Sequence, residues 1–230
     1  MSKKRRKVNP WLLIFLLISI GGLVYLNMVV VPMMDPPFVP TATPTRDPLS
    51  FIQEADALSA EGKYLQAIEA YQGAINVDPQ NINNYLKISR LQIYTDQLVL
   101  AQVNAQNAIL LDNSVSEAYA LSGWAKGFQK DYLNGETDAR RAIELDQNSG
   151  FAHAVLAYIL ALRVEAGLEE LDTMDLAIEE SRTALALEPN LLEAHWARGY
   201  VLEITSNYED AVAELDTAIA INPNVARVHL

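Results

Sequence analysis

The chain of 230 residues is long enough for one or two domains, and half of it is apolar, which excludes wholesale disorder. It contains no cysteine, which excludes disulfides, thiolate metal sites and cysteine nucleophiles. Residues 1–47 have a net charge of +4 and residues 48–230 a net charge of −16, a distribution that argues against a nucleic-acid-binding body.

Residues 11–31 predict a transmembrane helix because they contain no charged side chain and, as a helix, span about 32 Å, one hydrocarbon core. A cleaved signal peptide is the alternative, but its apolar region is shorter and ends in a cleavage site of small residues. Basic residues crowd positions 3–7. By the positive-inside rule, residues 1–10 form a cytoplasmic tip of a single-pass cell-membrane protein with an extracytoplasmic body.

Residues 32–48 predict a linker, because six prolines alternate there with three threonines. Proline withholds a backbone donor and holds the chain extended. Fully extended, this linker would reach about 50 Å and would hold the following domain clear of the lipid headgroups.

Residues 49–230 are organised as repeats. One aromatic-type position recurs at intervals of 34, 34, 34, 42 and 34 residues, at Phe51, Tyr85, Tyr119, His153, His195 and His229. Two columns of small residues share these intervals; one of them comprises Ala74, Ala108, Ala142, Ala184 and Ala218. The columns predict units starting near residues 48, 82, 116, 150 and 192, an insertion at 165–172 and the start of a sixth unit at 226.

The units resemble tetratricopeptide repeats in three motifs: the Gly62-Lys63-Tyr64 turn, the paired small residues, and the Asp-Pro or Asn-Pro ending at Pro79 and Pro223. The resemblance covers residues 48–230 and implies an all-α, right-handed solenoid of helix-turn-helix repeats with a concave groove lined by the first helices. Units two and three depart from the pattern, with Asn113 and Gln147 in place of proline and Gly135 in place of alanine, which predicts weaker individual units.

Carrying the family's groove positions over to this sequence gives an aromatic surface. The predicted partner-binding residues are Tyr94, Trp124, Phe128, Phe151, Tyr158, Trp196 and Tyr200. Tryptophan and tyrosine are enriched at binding hot spots, so the surface favours an apolar helix or peptide as ligand. Packing between neighbouring first helices is the alternative reading of these residues. The basic clamp with which some members hold a terminal carboxylate is absent, since only Lys87 matches it.

No catalytic, cofactor or metal site is predicted. The chain lacks a phosphate-binding glycine loop, a zinc-binding His-Glu-x-x-His helix and a supported catalytic triad. The three histidines replace Phe or Tyr in register, and neighbouring units would hold them about 10 Å apart, too far to share a metal. The chain is therefore not expected to be an enzyme.

The function predicted from these features is a membrane-tethered protein–protein interaction scaffold, acting in the assembly of a cell-envelope complex. A holdase-like chaperone for translocated proteins and a structural subunit of a large membrane complex are the alternatives. The second helix of unit five presents apolar side chains that residues 226–230 cover poorly, so self-association through this C-terminal edge is also expected; these side chains are Val212, Leu215, Ile219 and Ile221.

Overall fold

The computed structural model describes residues 10–30, 46–168 and 170–225, which belong to two compact units divided between Thr45 and Arg46. Residues 1–9 of the predicted basic tip, residue 31 of the predicted transmembrane helix, residues 32–45 of the predicted linker, residue 169 of the predicted insertion and the predicted start of a sixth repeat at 226 lie outside the described residues.

The N-terminal unit is one helix, α1 (Pro10–Tyr25), which continues as a π-helical turn over Leu26–Val30. Residues 10–29 have a mean hydropathy of 2.4, and this apolar stretch is not buried against other described residues. The helix is long and apolar enough to cross a membrane, and a signal sequence has the same properties.

The second unit is all-α over its described residues and consists of five helical hairpins. Their first helices are α2 (Pro48–Ala60), α4 (Ile82–Tyr94), α6 (Ser116–Phe128), α8 (Gly150–Glu165) and α10 (Leu192–Ile204). Their second helices are α3 (Tyr64–Val77), α5 (Leu98–Leu111), α7 (Tyr132–Leu145), α9 (Thr173–Leu187) and α11 (Tyr208–Ile221). Each hairpin packs on the next, as a solenoid requires.

Small residues bring the two helices of each hairpin together. The alanines of the recurring column that includes Ala74 and Ala142 are fully buried. In the third hairpin the approach is closest, because a Cβ on Gly135 would lie 2.9 Å from the carbonyl oxygen of Gly123 and 3.1 Å from the backbone nitrogen of Gly127. The glycine that the sequence predicts to weaken this unit is therefore the residue that its tight helix crossing requires.

The turns inside the hairpins share one geometry. A residue with positive φ follows each first helix, and the next backbone N–H donates to a carbonyl five residues back, as Lys63 does to Leu58 at 2.9 Å. Gly167 provides the positive φ, +67°, that ends α8. Helix α8 is three residues longer than α6, and the rest of the insertion forms the loop before α9.

The hairpin array curves until its first and fifth hairpins touch. The Tyr64 hydroxyl donates to Oδ1 of Asn222 at 3.0 Å. The side chain of Asn224 lies against Gly62, and Val225 is fully buried. We call these the closing contacts; they join residues that are 158 positions apart in the sequence.

Candidate functional site

The seven predicted groove residues converge into one aromatic cluster, contributed by α4, α6, α8 and α10. The Trp124 and Trp196 ring centroids lie 5.4 Å apart at 68°, and those of Tyr158 and Tyr200 lie 4.6 Å apart and stacked. Phe128 contacts Tyr158 at 5.3 Å. Edge-to-face and stacked pairs of this kind each add about 0.5–1.5 kcal/mol beyond the area that they bury.

The aromatic cluster is unevenly accessible. Trp124 is only 2% exposed, and Phe151, Tyr158 and Trp196 are also buried, whereas the other three rings are half-buried. The space between Trp124, Tyr158 and Trp196 admits no water molecule. A partner can therefore reach the rim of the cluster but not its centre, unless the first helices separate.

A buried charge network borders the cluster. Glu193 is 3% exposed and forms an ion pair with Arg90, whose guanidinium also donates to Glu117 at 2.9 Å. The Tyr94 hydroxyl donates to Glu193 at 2.6 Å, and Arg90 lies 4.1 Å from the centre of the Phe151 ring. The network links the second, third and fifth hairpins across the concave face.

The network fixes the ionisation of its members. Burial alone would lower the pKa of Arg90, but Glu193 beside it raises that pKa above its ordinary value. Burial and the charge of Glu193 both raise the pKa of Tyr94 well above its ordinary value. The guanidinium thus stays charged and the phenol neutral, which is the state that donates to the carboxylate.

One cavity opens at the rim of the cluster, where the C-terminal ends of α6 and α8 meet. We call it the rim cavity; its volume is about 360 Å³, and its lining consists of Gly127, Phe128, Lys130, Tyr132, Leu162, Glu165 and Ala166. Glu165 accepts a hydrogen bond from the Tyr200 hydroxyl at 2.5 Å. Burial and this bond raise the pKa of Tyr200, so the ring stays a neutral donor.

The side chains of the two described histidines contact backbone carbonyl groups just before their own helices. Nε2 of His195 lies 2.8 Å from the carbonyl oxygen of Pro189, and Nε2 of His153 lies 3.2 Å from that of Gln147, six residues upstream in each case. The Tyr85 hydroxyl donates to the corresponding carbonyl of Pro79 at 3.2 Å. Sequence reasoning identified this position as space-filling and missed its hydrogen bond; His229 lies outside the described residues.

Sequence reasoning also missed the ion pair between Arg90 and Glu193. The family's groove positions, carried over to this sequence, also include Arg90 and Glu193. Their opposite charges indicate polar contacts on this face but not which residues pair. The matching clamp position, Lys87, pairs with Asp56 at 2.5 Å. Over the described ranges, no group of three or more His, Asp and Glu side chains is placed to hold a metal ion.

Comparison with known proteins bears on this architecture. The tetratricopeptide repeat family model matches residues 50–81 and 192–225. No curated protein matches the chain. A thermophilic TPR protein of Thermus thermophilus is similar with a TM-score of 0.62 and 16% identity, over 80% of this chain and 95% of that one.

A second solved structure, that of the MamA protein, is similar with a TM-score of 0.50 and 21% identity, over 80% of this chain and 96% of that one. At such identities the similarity shows the fold. The family model matches the first and last hairpins, and the hairpins between them repeat the same helical architecture. The chain is a tetratricopeptide repeat protein.

Proposed function

We propose that the protein is a membrane-tethered protein–protein interaction scaffold, which captures an apolar helix or peptide at the rim of the aromatic cluster and serves the assembly of a cell-envelope complex. The tetratricopeptide fold supports a scaffold of this class. The observation that carries the proposal is the rim cavity, which gives access to Phe128, one of the half-buried rings of a cluster whose centre is closed.

The chemistry of the rim cavity favours an apolar side chain with a polar flank. Phe128, Tyr132 and Leu162 supply apolar walls, and Lys130 and Glu165 stand at the edge. A cavity of about 360 Å³ is at the small end of ligand-sized sites and suits one or two anchoring side chains. Anchors of this kind contribute most of the affinity of a peptide complex.

The N-terminal helix supports the tether. A membrane anchor confines the scaffold to two dimensions and raises its effective concentration near membrane-bound partners. Protease added to sealed, right-side-out vesicles tests the orientation, and washing the membranes with carbonate tests the anchoring. Digestion of residues 46–230 only after detergent lysis would contradict an extracytoplasmic body, and release of the chain by carbonate washing would contradict the anchor.

Photo-crosslinking in native membranes tests partner capture. A photoreactive amino acid at exposed Lys130, beside the rim cavity, is expected to give one dominant adduct with another protein. The matched control is the same amino acid at Glu144, which is exposed on the second helix of the same hairpin. It is expected to give no such adduct.

The pattern of adducts separates the functions that remain. A single stoichiometric adduct supports the scaffold or a complex subunit, whereas a smear of unrelated proteins supports the holdase. Equal labelling from both positions, or none from Lys130, would sink partner capture at the rim cavity.

Self-association through the C-terminal edge is part of the same proposal. Val212 and Ile221 are exposed on α11, which supports a contact surface there. The expected result is a mass above that of one chain in analytical ultracentrifugation at tens of micromolar. A Val212→Glu variant is expected to return the protein to one chain, and a monomeric wild type would remove this part of the proposal.

A further inference from the structure

A second groove lies between α3 and α5, the second helices of the first two hairpins. Its cavity has a volume of about 670 Å³. Apolar side chains of both helices form part of the wall; they are Ile68, Ile75, Leu100 and Val103. Amide side chains form most of the remainder; they are Gln72, Asn76, Gln92, Gln97, Asn104 and Asn107. We call this the amide groove.

The amide groove is lined by only one charged side chain, although the repeat domain is strongly acidic. Helix α5 and the preceding Gln97 contain no charged residue, whereas α3, α7, α9 and α11 each contain at least one. Glu69 is the one charged residue among the described residues that line the cavity. An anionic ligand would find no counter-ion there, and a cationic one would find only Glu69, whose exposed carboxylate offsets little of the hydration that the ligand loses on entry. The groove therefore favours an uncharged occupant.

The surface of α5 is unusually apolar for a solvent-facing helix. Val99, Leu100, Val103 and Leu110 are all exposed, and Leu100 and Val103 project at the groove with 51% and 46% exposure. Exposed apolar residues that line a concave site mark a binding surface more often than scattered ones do.

The amides favour an extended peptide over a helix. Each amide carries two donor hydrogens and an acceptor oxygen, so it keeps bonding capacity after one contact, such as the 2.8 Å bond from Asn104 to Gln92. A helix has already paired its backbone groups, but an extended chain offers free N–H and C=O groups along both edges. Amides therefore recognise an extended backbone without demanding a charged side chain.

We infer that the amide groove binds an extended, uncharged peptide segment of a partner protein, with apolar side chains on Leu100 and Val103 and its backbone bonded to the surrounding amides. From residue 68 to residue 76 the α3 wall is about 12 Å long, which matches about four residues of extended chain. This site is separate from the rim cavity, since the two share no residue.

The probe is a phage-displayed library of random eight-residue peptides, panned on the full chain in detergent micelles. Enrichment of uncharged peptides with apolar residues at alternate positions is expected. The affinity of a synthetic copy should fall at least about tenfold in Val103→Glu and in the milder Leu100→Ser variant. Leu110→Glu is the matched control, since Leu110 is 83% exposed on the same helix outside the groove, and its affinity should stay within about twofold.

Two further readouts test the bound form. Replacing single peptide amides with esters removes backbone donors and should weaken binding by about twofold to tenfold at some positions. A photoreactive group at Leu100 should label the peptide, and one at Lys130 should not, which separates this site from the proposed function.

Four results would overturn the inference. These are enrichment of charged peptides or of none, equal weakening by Val103→Glu and Leu110→Glu, insensitivity to every ester, and labelling from Lys130 alone. A wild-type dimer that Val103→Glu dissociates would assign the groove to a second copy of this chain instead. Unchanged circular dichroism and thermal midpoints of the variants establish that each loss is local.

Discussion

At the scale of single residues, the concave face depends on a few buried polar groups among aromatic rings. Glu193 is the centre of these groups because it pairs with Arg90 and accepts from Tyr94. Because Glu193 is 3% exposed, the loss of one of these groups leaves its partners unpaired in the interior. His153 is also a buried polar residue, and it contacts Glu180.

Glu193→Ala is expected to lower the free energy of unfolding by about 2–4 kcal/mol, since Arg90 would keep only the more exposed Glu117 as a counter-charge and the Tyr94 hydroxyl would lose its acceptor. Urea denaturation followed by circular dichroism measures the change. Glu144→Ala is the control, because the pair between Glu144 and Arg141 is solvent-exposed and should contribute less than about 0.5 kcal/mol. Equal effects of the two substitutions would contradict the importance of the buried network.

His153 should make stability depend on pH. Its bond with Glu180, at 2.5 Å, raises the pKa of the imidazole above its ordinary value although burial opposes the shift. A raised pKa in the folded state means that protonation favours folding, so the contribution is complete below about pH 6.5 and is lost as the pH rises through the folded-state pKa.

His153→Phe should therefore lower the thermal midpoint more at about pH 5.5 than at about pH 8. Phenylalanine occupies this position in the first hairpin, as Phe51, so it fits the same column. A deficit that is the same at both pH values, or larger at the higher one, would show that the charged bond does not contribute.

At the scale of helices, each hairpin is stabilised by the close packing of its two helices. The third hairpin shows this most clearly, because Gly123 and Gly135 let the backbones of α6 and α7 touch. Close-packed interiors have no spare volume, so one methyl group there must displace a helix.

Gly135→Ala is expected to destabilise the protein by about 1–3 kcal/mol, although alanine is the better helix former. The substitution is destabilising because the added Cβ would lie 2.9 Å from the carbonyl oxygen of Gly123. Thr137→Ala on the same helix is exposed and should change stability by less than about 0.5 kcal/mol. A stabilised Gly135→Ala protein in urea titration would refute the close crossing.

How much of the fold and of the aromatic cluster the sequence predicts depends on how far apart in the sequence the contacting residues lie. The 34-residue spacing suffices to predict the hairpins, because they follow from helical periodicity and the repeat. The groove position of residues such as Trp124 follows only from the resemblance to the tetratricopeptide family. The burial of Trp124 against Trp196 depends on the curvature of the array. This curvature is the sum of small packing angles between successive hairpins. No local pattern encodes that angle, so the pairing of Arg90 with Glu193, 103 positions away, could not be predicted.

At the scale of the whole repeat domain, the closing contacts change how the array behaves. A solenoid in which each repeat touches only its neighbours is stabilised by nearly independent terms and opens from its ends. Here Tyr64 and Asn222 join the first hairpin to the last, and the buried network joins the second to the fifth. The five hairpins should therefore unfold in one cooperative step rather than fray.

Removing the hydrogen bond between Tyr64 and Asn222 should loosen the array without unfolding it. Because the chain has no cysteine, spin labels can be placed singly at Gln66 on α3 and Glu209 on α11, both exposed. The wild type is expected to give one narrow distance by pulsed electron resonance. Tyr64→Phe combined with Asn222→Ala should broaden this distance distribution. As a control, the distribution from a label pair at Gln66 and Gln106 should not change in the same variant. An unchanged distribution between Gln66 and Glu209 would show that the hydrogen bond between Tyr64 and Asn222 does not hold the ends of the array together.

The closing contacts also restrict the routes by which this array can evolve. Duplication of one 34-residue unit between the second and last hairpins would turn Asn222 away from Tyr64 and separate Arg90 from Glu193 in a single event. The duplicated gene would thus encode a protein that has lost both sets of long-range contacts at once. Change in partner preference is therefore expected to proceed by point substitution at a constant copy number, and not by the gain or loss of units.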